Sequence, residues 1–323
     1  MNAHRNTTNR RLLNPTAELG LIAAITLLVL GELSGSNPAK APSASESNQA
    51  VVATNPLKPP AQGSIPVAFL ISDGAQVIDF AGPWEVFQDV MVPGRADRPF
   101  RLFTVSESTA PIHTSGGMKI VPDYNFENAP EPKVIVIPAQ SKPSEATLEW
   151  IRKSTKTADV TMSVCTGAFV LARTGLLSGK PATTYHGAFA TFANEFPDIH
   201  LKRGARFVED GNLATAGGLS SGIDLALRVV ERYFGREAAQ RTAYDMEYQG
   251  QGWMNPESNQ VYASAPVSTA EHPLCAVCGM DVDPKTAPKS VVKGTAYYFC
   301  SDDDKKTFDA APDKFVNAEK KSL

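Results

Sequence analysis

Ile65-Pro-Val-Ala-Phe-Leu-Ile71 is an unbroken apolar run about one strand long. A strand with no polar alternate positions has no solvent face, so it belongs inside a sheet covered on both sides. Sheets of that kind are built mainly from parallel strands joined through helices. The rest of the pattern agrees, with further strands expected over 100–105, 133–137, 160–164, 206–208 and 212–215. Helical spacing is expected over 83–90, 144–153, 167–177, 187–195, 220–234 and 236–248. Strands and helices alternate, which predicts an α/β layered domain with a mostly parallel sheet.

This domain does not occupy the whole chain. Arg5, Arg10 and Arg11 precede an apolar run from Leu19 to Gly31 that is bounded by Glu18 and Glu32. That length suits a signal-peptide core and is short for a membrane span. Residues 1–33 are therefore expected to be a signal peptide or membrane anchor, making the protein exported: periplasmic, or tethered facing the periplasm. Residues 34–63 are rich in Ser, Ala, Pro and Asn and are expected as a flexible linker. The α/β domain is expected over 64–250. A second polar stretch over 251–271, punctuated by Pro256 and Pro266, separates it from a cysteine-bearing segment over 272–320. The net charge of −3 gives no electrostatic basis for binding nucleic acid.

Chemistry concentrates where the run Val160–Val164 stops at Cys165. Thr166 and Gly167 follow, and then helical spacing begins, so the segment reads strand, sharp turn, helix. A thiol at that turn faces the unpaired N–H groups of a helix start, which favour thiolate and are expected to lower its pKa. The other reading, a small buried core residue, stays open. Open α/β sheets carry their chemistry at the carboxyl ends of strands. Asp79 follows the first strand and is a proton relay or a helix cap. Ala139 and its neighbours after the third strand offer backbone N–H groups for an oxyanion. His186 is the candidate histidine near the thiol, or an ordinary hydrogen-bonded one. His113 and His200 lack such context.

Four ordered motifs carry a resemblance: 73–87 (DGAQVIDFAGPWEVF), 163–169 (SVCTGAF), 175–184 (GLLSGKPATT) and 214–224 (ATAGGLSSGID). Together they resemble the PfpI branch of the class I glutamine-amidotransferase-like superfamily, in the subgroup of isonitrile hydratase and the ligand-like domains of AraC-type regulators. The resemblance implies a flavodoxin-like three-layer sandwich with Cys165 on a nucleophile elbow. It also implies catalytic roles for Asp79 and Thr166, turn donors around Gly167, a small-molecule substrate, no cofactor in the α/β domain, and a homodimer. Two departures narrow it. Ala139-Gln140 stands where the family often has a glycine pair, and Thr166 stands where protease-like members have histidine, which argues against peptidase or deglycase chemistry. No helix-turn-helix pair follows Tyr248, as the regulator reading would need. A non-catalytic ligand- or metal-sensing domain is the alternative to a hydratase or hydrolase.

In the tail, Cys275 and Cys278 form a C-x-x-C pair, and Cys300 lies about twenty residues on. A chelating turn with a distant third thiolate suits zinc or copper(I). A disulfide, Cys275–Cys278 or Cys278–Cys300, is the alternative after export. The segment resembles a YHS domain through 277–282, 297–301, Phe308, Pro312 and Phe315, implying a small α+β metal-binding module. Asp304 stands where such sequences often have another cysteine. Its oxygen serves zinc better than copper(I), and His272 is a further candidate ligand.

Overall fold

The computed structural model describes residues 55–264 and 268–316. The expected signal or anchor segment lies outside them, as does most of the 34–63 linker. The strands are β1 (Ile65–Leu70), β2 (Phe100–Ser106), β3 (Ile112–His113), β4 (Lys119–Ile120), β5 (Tyr124–Asn125), β6 (Val134–Ile137), β7 (Val160–Val164), β8 (Pro181–Ala182), β9 (His200–Leu201), β10 (Phe207–Asp210) and β11 (Leu213–Ala216). The helices are α1 (Val77–Gln88), α2 (Glu145–Thr155), α3 (Gly167–Arg173), α4 (Phe189–Glu195), α5 (Ser221–Phe234) and α6 (Arg236–Asp245). Seven strands form one sheet in the order β10-β11-β7-β6-β1-β2-β5. Every pairing in it is parallel except β10 with β11.

The apolar run that predicted a doubly covered strand is β1 at the centre of this sheet. Val67 and Phe69 join one core with Val86, Leu225, Val229 and Ala239 of α1, α5 and α6. Ala68 and Leu70 join the other with Ile151, Leu171 and Phe192 of α2, α3 and α4. Alternate side chains point to opposite faces, so both faces are buried and the result is the expected α/β sandwich.

One helix boundary differs from expectation in a way that matters for chemistry. α1 begins at Val77, ahead of Gly82-Pro83, and Pro83 lies inside it. Proline lacks the N–H that would bond the carbonyl of Asp79 four residues earlier, yet the helix tolerates this within a packed face. Asp79 is therefore a first-turn helical residue, fully buried, and the cap position belongs to Gln76.

The carboxyl ends of β6, β7 and β11 converge. Ile137 pairs with Ser163, and Ala216 pairs with Val164, so Cys165 emerges between two strand ends. Gly167 is what lets the next turn sit there, because a Cβ at that position would run into the carbonyl oxygen of Ile137. Gly167→Ala is expected to destabilise the protein by about 1–3 kcal/mol, as overpacking against rigid backbone does. A urea midpoint that does not move would contradict this.

The tail contains the antiparallel pair β12 (Lys289–Val292) and β13 (Thr295–Tyr298), then α7 (Asp302–Ala310) and α8 (Asp313–Val316). Among the described residues, its buried apolar cluster is Cys275, Phe299 and Phe308. Part of the 251–271 connection is fixed to the sandwich. Trp253 is buried, and its N–H donates to Asp224 at 2.9 Å. Arg206 donates to Asn259 at 3.3 Å.

Candidate functional site

Cys165 adopts a left-handed backbone, φ +56°, which L-residues avoid unless neighbours impose it. Two contacts do so. Its N–H donates to Gly217 O at 2.9 Å, and its carbonyl accepts the Thr184 hydroxyl at 2.9 Å. This is a strained strand-to-helix elbow that presents the thiol at the end of β7, with the residue only 7% exposed. The N–H of Leu219 and the N–H and hydroxyl of Thr166 act on the thiol and lower its pKa. These donors favour the charged sulfur.

They do not prevail at rest. Burial, and next the charge of Asp79, push the Cys165 thiol up to about 11. The expectation of a lowered pKa is therefore corrected. It counted only the helix start, but α3 has seven residues, and desolvation with a neighbouring carboxylate outweighs it. Asp79 is displaced as well. Burial raises it to about 7, against the lowering effect of a hydrogen bond from the Ala139 N–H to Oδ2 at 3.0 Å. Its other oxygen, Oδ1, has no hydrogen-bond partner among the described residues. A carboxyl that titrates near neutrality, with one free oxygen and its charge felt by a buried thiol, is suited to take and return a proton.

The other expected residues are placed as follows. Ala139 gives its N–H to Asp79, so the donors that face the sulfur come from Thr166 and Leu219 instead. His186 opens a 3₁₀ turn, His186–Ala188, and stacks on Tyr262 with ring centroids 4.9 Å apart. Burial lowers its pKa. Its neighbour Tyr185 is the ring that senses the Cys165 charge. Leu219, Thr184 and Tyr185 are additions that residue type could not flag, since two of them act on the elbow's backbone or through their own. The available signal was the Gly217-Gly218 pair, which precedes Leu219 at its own positive φ of +22°. A separate cleft of about 600 Å³ between residues 88–99 and α6 contains none of these groups.

The second cluster is in the tail. The ligand atoms of Cys275, Cys278, Cys300 and Asp304 all lie within 4.8 Å of one another. Cys278 and Cys300 sulfurs are 3.4 Å apart, and the Asp304 carboxylate accepts from Cys275 at 3.3 Å and from Cys300 at 3.2 Å. The C-x-x-C turn closes through Gly279 N–H to Cys275 O at 2.8 Å, with Gly279 at φ +76°. Ser301 caps α7 by accepting the Asp304 N–H at 3.1 Å, which leaves the Asp304 side chain among the thiols. The four cysteines of the chain are free thiols. Hydrogen bonding from Cys278 lowers the Cys275 thiol. Three sulfurs and an oxygen converging at this spacing fit a tetrahedral zinc ion. His272 pairs instead with Asp281 at 3.3 Å. Cys300→Ser is expected to weaken zinc binding by the full chain at least ~100-fold, because one of three thiolates is lost. Competition with a chromophoric chelator measures it, and an unchanged affinity would remove Cys300 from the site.

Comparison with known proteins agrees with both halves. Residues 66–232 match the model of the DJ-1/PfpI family. The chain belongs to the DJ-1/PfpI family. Residues 276–319 match the YHS domain. The DJ-1/PfpI domain is 33% identical over 190 residues to isonitrile hydratase of Pseudomonas putida, covering 57% of this chain and 79% of that one. It is 27% identical over 175 residues to an HTH-type transcriptional regulator of Pseudomonas aeruginosa, covering 53% of this chain and 51% of the regulator. Among solved structures, a ThiJ/PfpI family protein from Pseudomonas syringae superposes with a TM-score of 0.51 at 26% identity. It covers 59% of this chain and 77% of that one.

Proposed function

We propose that the DJ-1/PfpI domain is a cysteine-dependent hydratase for small electrophiles of the isonitrile type, and that the YHS domain holds a zinc ion. The observation that carries the enzymatic half is the pairing of a buried thiol with a buried carboxyl raised to about 7. A desolvated acid whose second oxygen has no partner among the described residues is suited to proton transfer. The 33% identical isonitrile hydratase supports the substrate class.

The steps balance without an outside reagent. The Cys165 S–H proton passes to the Asp79 carboxylate, and the sulfur forms a bond to the isonitrile carbon. That carbon takes the proton from Asp79, leaving a thioimidate on Cys165. Water then adds across the C=N bond, the C–S bond breaks, and an N-substituted formamide leaves as the sulfur recovers a proton. Thr166 and the Leu219 N–H hold the sulfur while it is charged. In the YHS domain, Cys275, Cys278, Cys300 and Asp304 would hold zinc, whose role there is to bind a fold with little apolar core together.

The test is formamide production from a panel of small isonitriles by the purified full chain. Turnover of at least one supports the reading. Saturable binding without product favours the alternative, a ligand-binding domain of the kind that the regulator relative suggests. Export is part of the proposal, carried by Arg5, Arg10 and Arg11 ahead of the apolar run 19–31. A chain found wholly in the cytoplasmic fraction would exclude it. A homodimer is proposed on the family likeness and is checked by light scattering.

A further inference from the structure

We infer that the cysteine loop of the YHS domain caps the Cys165 crevice through Tyr185, so that filling the zinc site slows access to the nucleophile. The inference rests on the tail being a metal site, and it is independent of whether the sandwich turns over an isonitrile.

Two contacts place the loop, and a third places the segment that leads to it. The Thr191 hydroxyl, on α4, donates to the carbonyl of Val277 at 3.1 Å, between the two cysteines of the C-x-x-C turn. Gly279, at the end of that turn, lies so close to the sandwich that a Cβ there would meet Gly187 O at 3.1 Å. His186 stacks on Tyr262 of the connecting segment. All three fall on the stretch from His186 to Thr191, which begins directly after Tyr185.

Tyr185 links that stretch to the nucleophile. Its ring lies flush against two glycines: a Cβ on Gly187 would meet it at 2.6 Å, and one on Gly218 at 3.0 Å. Gly218 immediately precedes Leu219, whose N–H serves the Cys165 sulfur. The Tyr185 ring also packs against the core cluster that contains Cys165. One aromatic ring thus lies between the core that holds Cys165 and the stretch on which the cysteine loop docks.

The tail supplies the means of control. Among the described residues its apolar core cluster is just Cys275, Phe299 and Phe308, which gives little area to hold its shape, and small domains of this kind depend on a metal. Cys275, Cys278, Cys300 and Asp304 would hold zinc, and a bound ion would fix the loop that carries Val277 and Gly279. Without it, that loop would be held against Thr191 and Gly187 by its own contacts alone, and Tyr185 would have weaker outer support. Access to Cys165 is then greater.

The experiment measures labelling of Cys165 alone, by N-ethylmaleimide and peptide mapping, in the reduced full chain with and without one equivalent of zinc. Zinc stoichiometry is determined on the same samples. Zinc is expected to slow Cys165 labelling at least ~5-fold. Thr191→Arg, which places bulk at the docking point, and Tyr185→Ala are each expected to bind one zinc and lose the protection. Equal rates with one zinc bound would overturn the cap while leaving the metal site standing. Failure to bind zinc would overturn both. Protection that survives in Thr191→Arg, or in Cys300→Ser, would mean that zinc acts on Cys165 directly, and would also overturn the cap.

Discussion

Cys165→Ser is expected to lower kcat for isonitrile hydration by at least ~10⁴-fold while leaving the fold intact. A serine hydroxyl ionises far less readily than a thiol, and Asp79, raised only to about 7, is too weak a base to deprotonate it. The elbow itself does not depend on sulfur. Its left-handed φ is held by the Gly217 carbonyl and the Thr184 hydroxyl, both of which act on the Cys165 backbone. The urea midpoint should therefore change little, since the two side chains are similar in volume. Product formation is read by mass spectrometry. Turnover retained in a folded Cys165→Ser variant would place the chemistry elsewhere.

Asp79→Asn is expected to do two opposite things. Turnover should fall ~10²–10⁴-fold, the usual contribution of a positioned base. Stability should rise. The carboxyl titrates near 3.8 when unfolded and near 7 when folded, so the folded state binds the proton more tightly. Between those values the unfolded chain releases a proton that the folded chain keeps, and stability from this group declines as pH rises. Above about 7 both states are ionised and the whole penalty of the buried charge is present, on the order of 4 kcal/mol as an upper bound. Asparagine keeps an oxygen for the Ala139 N–H and carries no charge. Denaturation should show Asp79→Asn more stable than the parent by roughly 2–4 kcal/mol at pH 8, with the gap closing towards pH 4. A variant less stable at pH 8 would show that the carboxylate is satisfied in the fold.

The elbow was legible because its causes are local. A β-rich run ends at Cys165, and small residues follow where the turn needs them, with Gly167 against the Ile137 carbonyl. The tail cluster was legible for the same reason, through the C-x-x-C spacing. Asp79 was legible as a candidate but not in its setting. Gly82-Pro83 resembles a helix start, and only packing shows that α1 begins at Val77 and carries Asp79 in its first turn. The resting state of the thiol was not legible. Desolvation and the Asp79 charge depend on what surrounds Cys165 in three dimensions, whereas the helix-start argument sees only its neighbours in the chain. Tyr185 and Leu219 belong to the same class. They act on the site from loops far along the sequence, one as a ring packed on the core that holds Cys165 and the other through a backbone N–H.

The central claim is that Asp79 takes the proton from Cys165, and the pH dependence of Cys165 alkylation tests it most directly. For a coupled pair, the form with one proton lost is shared between carboxylate with thiol and carboxyl with thiolate, so reactive sulfur appears as the first proton leaves. The parent protein should show a rise in alkylation rate centred near pH 7, a plateau, and a second rise approaching 11. In Asp79→Asn the step near 7 should vanish and the upper rise should remain. Identical profiles for the two proteins, or a parent that reacts only through the upper rise, would contradict the account.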